Sequence, residues 1–210
     1  MRIPSITEAA ASEKVAQTFG RLRELLEVEE LPEPLLAYGH VEAFLRDFFM
    51  NFKKFVIADG ALDSKLKCAV ALATAYQSKC DAWIDLLSAR ASRLGYSEAE
   101  QIELLAIVST CTMYNAFFKF RDLSGSELFS GMGVGLRAHT FTGTSFDEKQ
   151  VELINTVISD LNACRPCTSG HVDAARKLGY TDEQLLEAIQ CAATVAAACQ
   201  FTVVASGKPS

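Results

Sequence analysis

Shifting the 210-residue chain along itself by 84 positions lays ASRLGYSEAEQIELLAIV, residues 91–108, over ARKLGYTDEQLLEAIQCA, residues 175–192. Leu94-Gly95-Tyr96 then falls on Leu178-Gly179-Tyr180. Each copy reads as the end of one helix, a glycine turn, an N-capping Ser97 or Thr181 with acids in the next turn, and a second helix. A lone helical hairpin leaves an apolar face in water. Two copies sharing one core can close a bundle. The repeat therefore predicts an all-α fold, a helical bundle of two internally repeated helical hairpins, with an extra N-terminal helical segment ahead of them.

The intervening sequence agrees with this layout. Long Ala-, Leu-, Glu- and Lys-rich stretches place apolar residues at helical spacing and lack strand-like alternation. TEAAASEKVAQTFGRLRELLEVEE, residues 7–30, reads as an amphipathic opening helix stopped by LPEP; residues 35–56 and 64–76 follow as helices, separated by ADGALD. RDLSGSELFSGMGVGLRAHTFTGTSF, residues 121–146, is the one long stretch without a period. The expected organisation is a helical segment over residues 1–58 and a repeat domain over 59–210, with a degenerate repeat at about 64–120, the connector, and a second repeat at about 147–205.

Half the residues are hydrophobic, enough to bury a core without metal or disulfide staples. Twenty Lys and Arg against 26 Asp and Glu give a net charge of -6 with no basic stripe, which speaks against a nucleic-acid partner. The opening residues carry no apolar leader, and no uncharged apolar run is expected to reach the ~18 residues of a membrane span. A cytoplasmic chain without a membrane partner is the expectation. Seven cysteines at irregular spacing argue for thiols rather than a disulfide scaffold. Cys68, Cys111, Cys191 and Cys199 stand among Ala, Val, Leu and Thr and read as small packed hydrophobes.

The stretch NACRPCTSGHVDAARKLGY is different, because it gathers Cys164, Cys167 and His171 in a chain with three histidines. An α-helix turns by about 100° per residue, so Cys167 and His171 differ by about 40° and Cys164 and His171 by about 20° around it. All three share one face. Pro166 marks the first turn, which places the sulfurs at the positive helix terminus, where thiolate is favoured over thiol. His171, one turn after Cys167, can take the thiol proton and return it to a leaving oxygen. Cys164 is close enough to resolve a sulfenic acid on Cys167 as a disulfide. The repeat supplies a control: 84 positions earlier Cys80 lies over Cys164, but Trp83 over Cys167, Leu87 over His171 and Cys68 over Glu152. The constellation belongs to the second half. Blander readings are a zinc site, which lacks a second ligand pair, and a His171 that only caps or packs. His40 and His139 have no thiol nearby in sequence and read as structural or exposed.

Glu152, eleven residues, Cys164-Arg165-Pro166-Cys167, three residues and His171 resemble the alkylhydroperoxidase D family of the carboxymuconolactone decarboxylase-like superfamily, and MYNAFFKFRDLSGSELFSGMGVGLRAHTF resembles that family's connector. The resemblance spans most of residues 60–205. It implies an all-helical two-repeat fold assembled as a homotrimer, and a lipoyl-dependent peroxidase. Cys167 would attack the hydroperoxide, Cys164 would resolve it, and Glu152 and His171 would relay protons. No bound cofactor is implied. A dihydrolipoyl group on a lipoylated acyltransferase subunit would reduce the Cys164–Cys167 disulfide, and a peroxiredoxin would be a further partner served by the same electrons. Pro166 departs from members that carry a second histidine there. Glu152 also conflicts with periodicity, since Val151, Leu153, Ile154, Val157, Ile158 and Leu161 form the apolar arc of its helix and Glu152 falls opposite, as a solvated carboxylate would.

Three function classes follow. The first is a hydroperoxide reductase or disulfide oxidoreductase. The second is a carboxymuconolactone decarboxylase-like lyase, which needs no CxxC, and the third a non-enzymatic redox or metal-binding module. The apolar clusters FLRDFFMNFKKFVI and NAFFKF fit either a homo-oligomer or a core helix that buries them.

Overall fold

The computed structural model describes residues 3–207, and among them helices are joined by turns with no strand. Helix α1 (Glu13–Leu26) starts where the Ser12 hydroxyl accepts from the Val15 amide and stops at Glu27 in the left-handed region. The opening helix is thus shorter than residues 7–30. Ser12, in extended backbone, caps α1 and cuts off a separate 3-10 turn at Glu8–Ala10. The helix expected over 35–56 is likewise divided, into α2 (Glu33–Leu36), a 3-10 turn at Ala37–His40, α3 (Glu42–Phe52) and a π turn at Lys53–Ile57. Extended Val41 makes the bend, and Tyr38 and Phe48 then meet edge to face with ring centroids 5.4 Å apart. Gly39 sits at this bend because a Cβ there would stand 2.9 Å from the Phe19 ring.

The rest is the repeat. Helices α4 (Ser64–Gln77), α5 (Asp81–Arg93) and α6 (Glu98–Ser124) are followed by a short α7 (Glu127–Ser130) in the connector, then α8 (Glu148–Leu161), α9 (Arg165–Lys177) and α10 (Asp182–Ser206). Both ends of α4 and α5, and the start of α6, stand 84 residues before their counterparts in α8, α9 and α10. Gly95 and Gly179 turn the chain at φ 85° and 89°, and Ser97 with Glu100 and Thr181 with Gln184 form reciprocal capping boxes. Lys65 covers the Tyr96 ring at 4.7 Å, and Lys149 covers Tyr180 at 4.4 Å.

One sequence expectation fails on α10. After Glu187 this helix has no charged residue, and by length and composition it could cross a membrane. Its Cys191, Val195, Cys199 and Thr202, one turn apart along a single face, are instead buried where α10 packs on α3, α4 and α8. Small Ala and Cys side chains raise the hydropathy of a helix at the centre of the bundle. The segment FLRDFFMNFKKFVI is also spent internally, since Phe48, Phe49, Phe52 and Val56 are buried.

Trp83 is the keystone of the first hairpin. It is fully buried, its Nε1 donates to the Tyr38 and Thr202 hydroxyls at 3.2 Å, and its ring packs on Phe48 and Phe52. It stands where the second hairpin has Cys167, so the N-terminal segment and one indole fill the first repeat where the second is left open. Trp83→Ala should lower stability by ~3–5 kcal/mol, as truncation of a large aromatic side chain in a core does. Urea unfolding followed by circular dichroism measures it, and a loss below ~1 kcal/mol would contradict this role.

Candidate active site

The turn from α8 to α9 is set by polar groups inside the bundle. Ala163 takes φ 51°, unusual for a residue with a Cβ, and the Cys164 amide reaches back to the Ser159 carbonyl at 3.0 Å. Asn162 fixes this turn from three sides. Gln77 of α4 donates to its Oδ1 at 2.6 Å, its Nδ2 donates to Asn115 of α6 at 2.9 Å, and Lys119 donates to its carbonyl at 3.0 Å. Cys164 is thereby made the N-cap of α9, with Pro166 in the first turn, where a missing N–H leaves no hydrogen bond unmade. Cys164 and Cys167 are joined as a disulfide with Cα atoms 5.3 Å apart. Cys164 is fully buried and Cys167 is 8% exposed, so an incoming group meets the Cys167 sulfur first.

His171 lies one turn further along α9, and its Nδ1 is 2.7 Å from Glu152 Oε2 on α8. An ionised carboxylate only accepts, so Nδ1 donates in this contact and Nε2 is the ring nitrogen left to exchange a proton. Both side chains are about three-quarters covered, 24% and 20% exposed. Glu152 is therefore not the solvated carboxylate that periodicity indicates. Helix α8 is packed on several sides, by α4, α6, α9 and α10, and residues 153–159 are all buried, so the face opposite the apolar arc looks into the protein. His40, by contrast, is exposed and bonds the Pro4 carbonyl, and His139 is exposed in a 3-10 turn of the connector.

Cys167, His171 and Glu152 line one cavity of about 460 Å³. Its other walls are Tyr114 and Phe118 of α6, Ala138 and Phe141 of the connector, and Pro166, Gly170 and Ala174 of α9. Sequence reasoning missed the α6 and connector walls. Cys111, Tyr114 and Phe118 do recur at helical spacing, but periodicity cannot say which partner helix that face meets. Cys111 is buried as expected, yet it is more than a packed hydrophobe. It lines the cavity, and its Sγ lies within 3.6–3.7 Å of Asn115, the Asn155 carbonyl and Ser159. Burial pushes its thiol up to about 11. It stays protonated beside a helix-terminal sulfur pair.

Comparison with known proteins places the fold. The family model described as "Carboxymuconolactone decarboxylase family" matches residues 45–121 and again 132–206. The chain belongs to the carboxymuconolactone decarboxylase family. The two matches cover the two repeats, and the first begins within α3, ahead of residue 59. Among relatives of this family, an alkyl hydroperoxide reductase AhpD of Anaeromyxobacter sp. (strain Fw109-5) is 28% identical over 153 residues, 73% of this chain and 82% of its own length. Two solved structures share the fold. One is a putative gamma-carboxymuconolactone decarboxylase subunit of Burkholderia xenovorans LB400, with TM-score 0.67 at 16% identity, covering 91% of this chain and 94% of that one. The other is an uncharacterized peroxidase-related protein of Ralstonia eutropha JMP134, with TM-score 0.58 at 15% identity, covering 100% and 92%.

Proposed function

We propose that this carboxymuconolactone decarboxylase family member is a thiol-dependent alkyl hydroperoxide reductase. The observation that carries the reading is a sulfur pair at a helix N-terminus whose more exposed member, Cys167, shares an apolar-walled cavity with a paired His171 and Glu152. In the reduced state His171 takes the Cys167 thiol proton, the thiolate attacks the terminal oxygen of a hydroperoxide, the O–O bond breaks, and His171 returns that proton to the leaving alkoxide. The Cys164 sulfur then attacks the sulfenic acid on Cys167, water leaves, and a disulfide results. Glu152 holds the imidazole in the tautomer this requires. Aromatic walls favour a hydroperoxide with a hydrocarbon group over hydrogen peroxide.

A dithiol closes the cycle by two exchanges, first at Cys167 because Cys164 is buried, and a dihydrolipoyl group on an acyltransferase subunit is the proposed donor. A peroxiredoxin would be a second outlet for the same electrons. Exposed Phe120, Leu123, Leu128, Phe129 and Met132, on α6, α7 and the connector, offer a face for the proposed homotrimer. The test supplies cumene hydroperoxide with reduced lipoyl domain, thioredoxin or glutathione in turn and follows donor oxidation, with sedimentation equilibrium for the mass. Preference for the lipoyl domain and a mass of three chains are expected. Turnover with no donor would overturn the reductase reading, and a monomer would remove the trimer. A lyase of the decarboxylase type would instead stay active after both thiols are alkylated.

A further inference from the structure

We infer that Gly170 decides which hydroperoxides the site accepts: it keeps one wall of the active-site cavity bare, so that a bulky, uncharged organic group can lie beside Cys167. The inference rests on the hydroperoxide reductase reading and names the substrate class for that same site.

The internal repeat shows where the room comes from. Of the α9 residues that line the cavity, three are smaller than their counterparts 84 positions earlier: Cys167 stands for Trp83, Gly170 for Leu86 and Ala174 for Arg90. In the first hairpin Trp83 and Arg90 are buried, and Leu86 packs against the core. The same helix face is filled in one copy and pared down in the other.

The backbone and the packing do not ask for glycine at 170. The residue lies inside α9 and has none of the positive φ of Gly95 and Gly179, so any residue could adopt its backbone. A Cβ placed there meets no packed neighbour within 4 Å among the described residues, whereas one at Gly39 would stand 2.9 Å from the Phe19 ring. Glycine inside a helix weakens it relative to alanine, because more backbone freedom is lost on folding. What Gly170 contributes is space.

That space adjoins the reacting groups. Gly170 follows Cys167 by three residues and precedes His171, so the three share a side of the helix. The walls from α6 and the connector bring the rings of Tyr114, Phe118 and Phe141. The Tyr114 hydroxyl donates to the Leu136 carbonyl at 3.0 Å, which ties the connector to α6 and holds this wall in place. Among the described residues, the charges on the walls are those of Glu152 and His171, which pair with each other, so an ionic substituent would be buried without a partner. A volume of about 460 Å³ is that of a small-molecule site, and hydrogen peroxide would leave most of it empty. A tertiary or aromatic hydroperoxide can lay its organic group on Gly170 and Ala174, with its oxygens toward Cys167 and His171.

The test compares the full-length parent with Gly170→Leu, which carries the side chain that the first hairpin has at this place. Reduced protein is mixed with hydrogen peroxide or cumene hydroperoxide in stopped flow, and cumyl alcohol is titrated into oxidised protein by calorimetry. The ratio of the cumene hydroperoxide rate to the hydrogen peroxide rate should fall by roughly tenfold or more, and cumyl alcohol should bind weaker by a similar factor. An unchanged ratio, or equal binding of the alcohol by both proteins, would overturn the inference. Gly170→Ala should unfold at a higher urea concentration than the parent. A lower midpoint would show that the fold needs the glycine and would overturn the inference too. Should the leucine variant not fold, the alanine variant reads the same ratio, with a fall of about threefold expected. A parent that neither peroxide oxidises would overturn the reductase reading. The alcohol then decides the cavity alone: bound by the parent and lost in Gly170→Leu upholds the role of Gly170, and no binding by the parent removes it.

Discussion

Cys167→Ser lowers hydroperoxide turnover by roughly 10³-fold or more, because serine cannot ionise at the helix terminus and the attacking atom is lost. Cys164→Ser behaves differently. It consumes one hydroperoxide per chain and stops, because the sulfenic acid on Cys167 has no sulfur beside it to release water. The two cysteines are N-cap and third residue of the same helix, linked across 5.3 Å of Cα separation, so neither substitution disturbs the helical ladder. Steady-state kinetics with a peroxide-specific dye, beside single-turnover measurement of alcohol formed, separates the two behaviours. Undiminished steady-state turnover in either variant contradicts the assignment.

The second large effect concerns the pair behind the sulfur. Glu152→Gln lowers kcat by about 10²-fold, within the usual range for general acid–base assistance. Glutamine retains the shape but can donate to the imidazole, so it no longer enforces the tautomer that leaves Nε2 free. His171→Gln costs a similar factor. The double variant loses little beyond the worse single one, because the carboxylate acts through the imidazole. Losses that multiply in the double variant, measured as kcat in a mutant cycle, would mean that the two groups act separately and that the 2.7 Å contact is structural.

What the sequence disclosed and what it hid follow from where the information resides. Hairpin ends are local. Ser97, Thr181 and the glycines at 95 and 179 each satisfy or free a particular backbone group, so the 84-residue register could be read directly. The face shared by Cys164, Cys167 and His171 is local too, being one stretch of one helix. Glu152 is not. Its direction depends on α8 being enclosed by four other helices, and a period counts only apolar residues. Tyr114, Phe118 and Phe141 reach the cavity through the crossing of α6 and the connector over α9, which no window of sequence encodes. In the N-terminal segment, helical composition hid the cap at Ser12 and the bend at Gly39, where a backbone preference and a close approach to Phe19 overrule propensity. The long uncharged run of α10 reads as membrane-like for a related reason: hydropathy does not register which neighbours cover a helix.

The decisive measurement mixes fully reduced protein with one equivalent of cumene hydroperoxide, traps free thiols by alkylation inside the first turnover, and identifies the sulfurs by mass spectrometry. One cumyl alcohol per chain, with Cys164 and Cys167 linked and neither alkylated, is the result the account predicts. Alcohol formed while both of those thiols still take up the alkylating agent would contradict it.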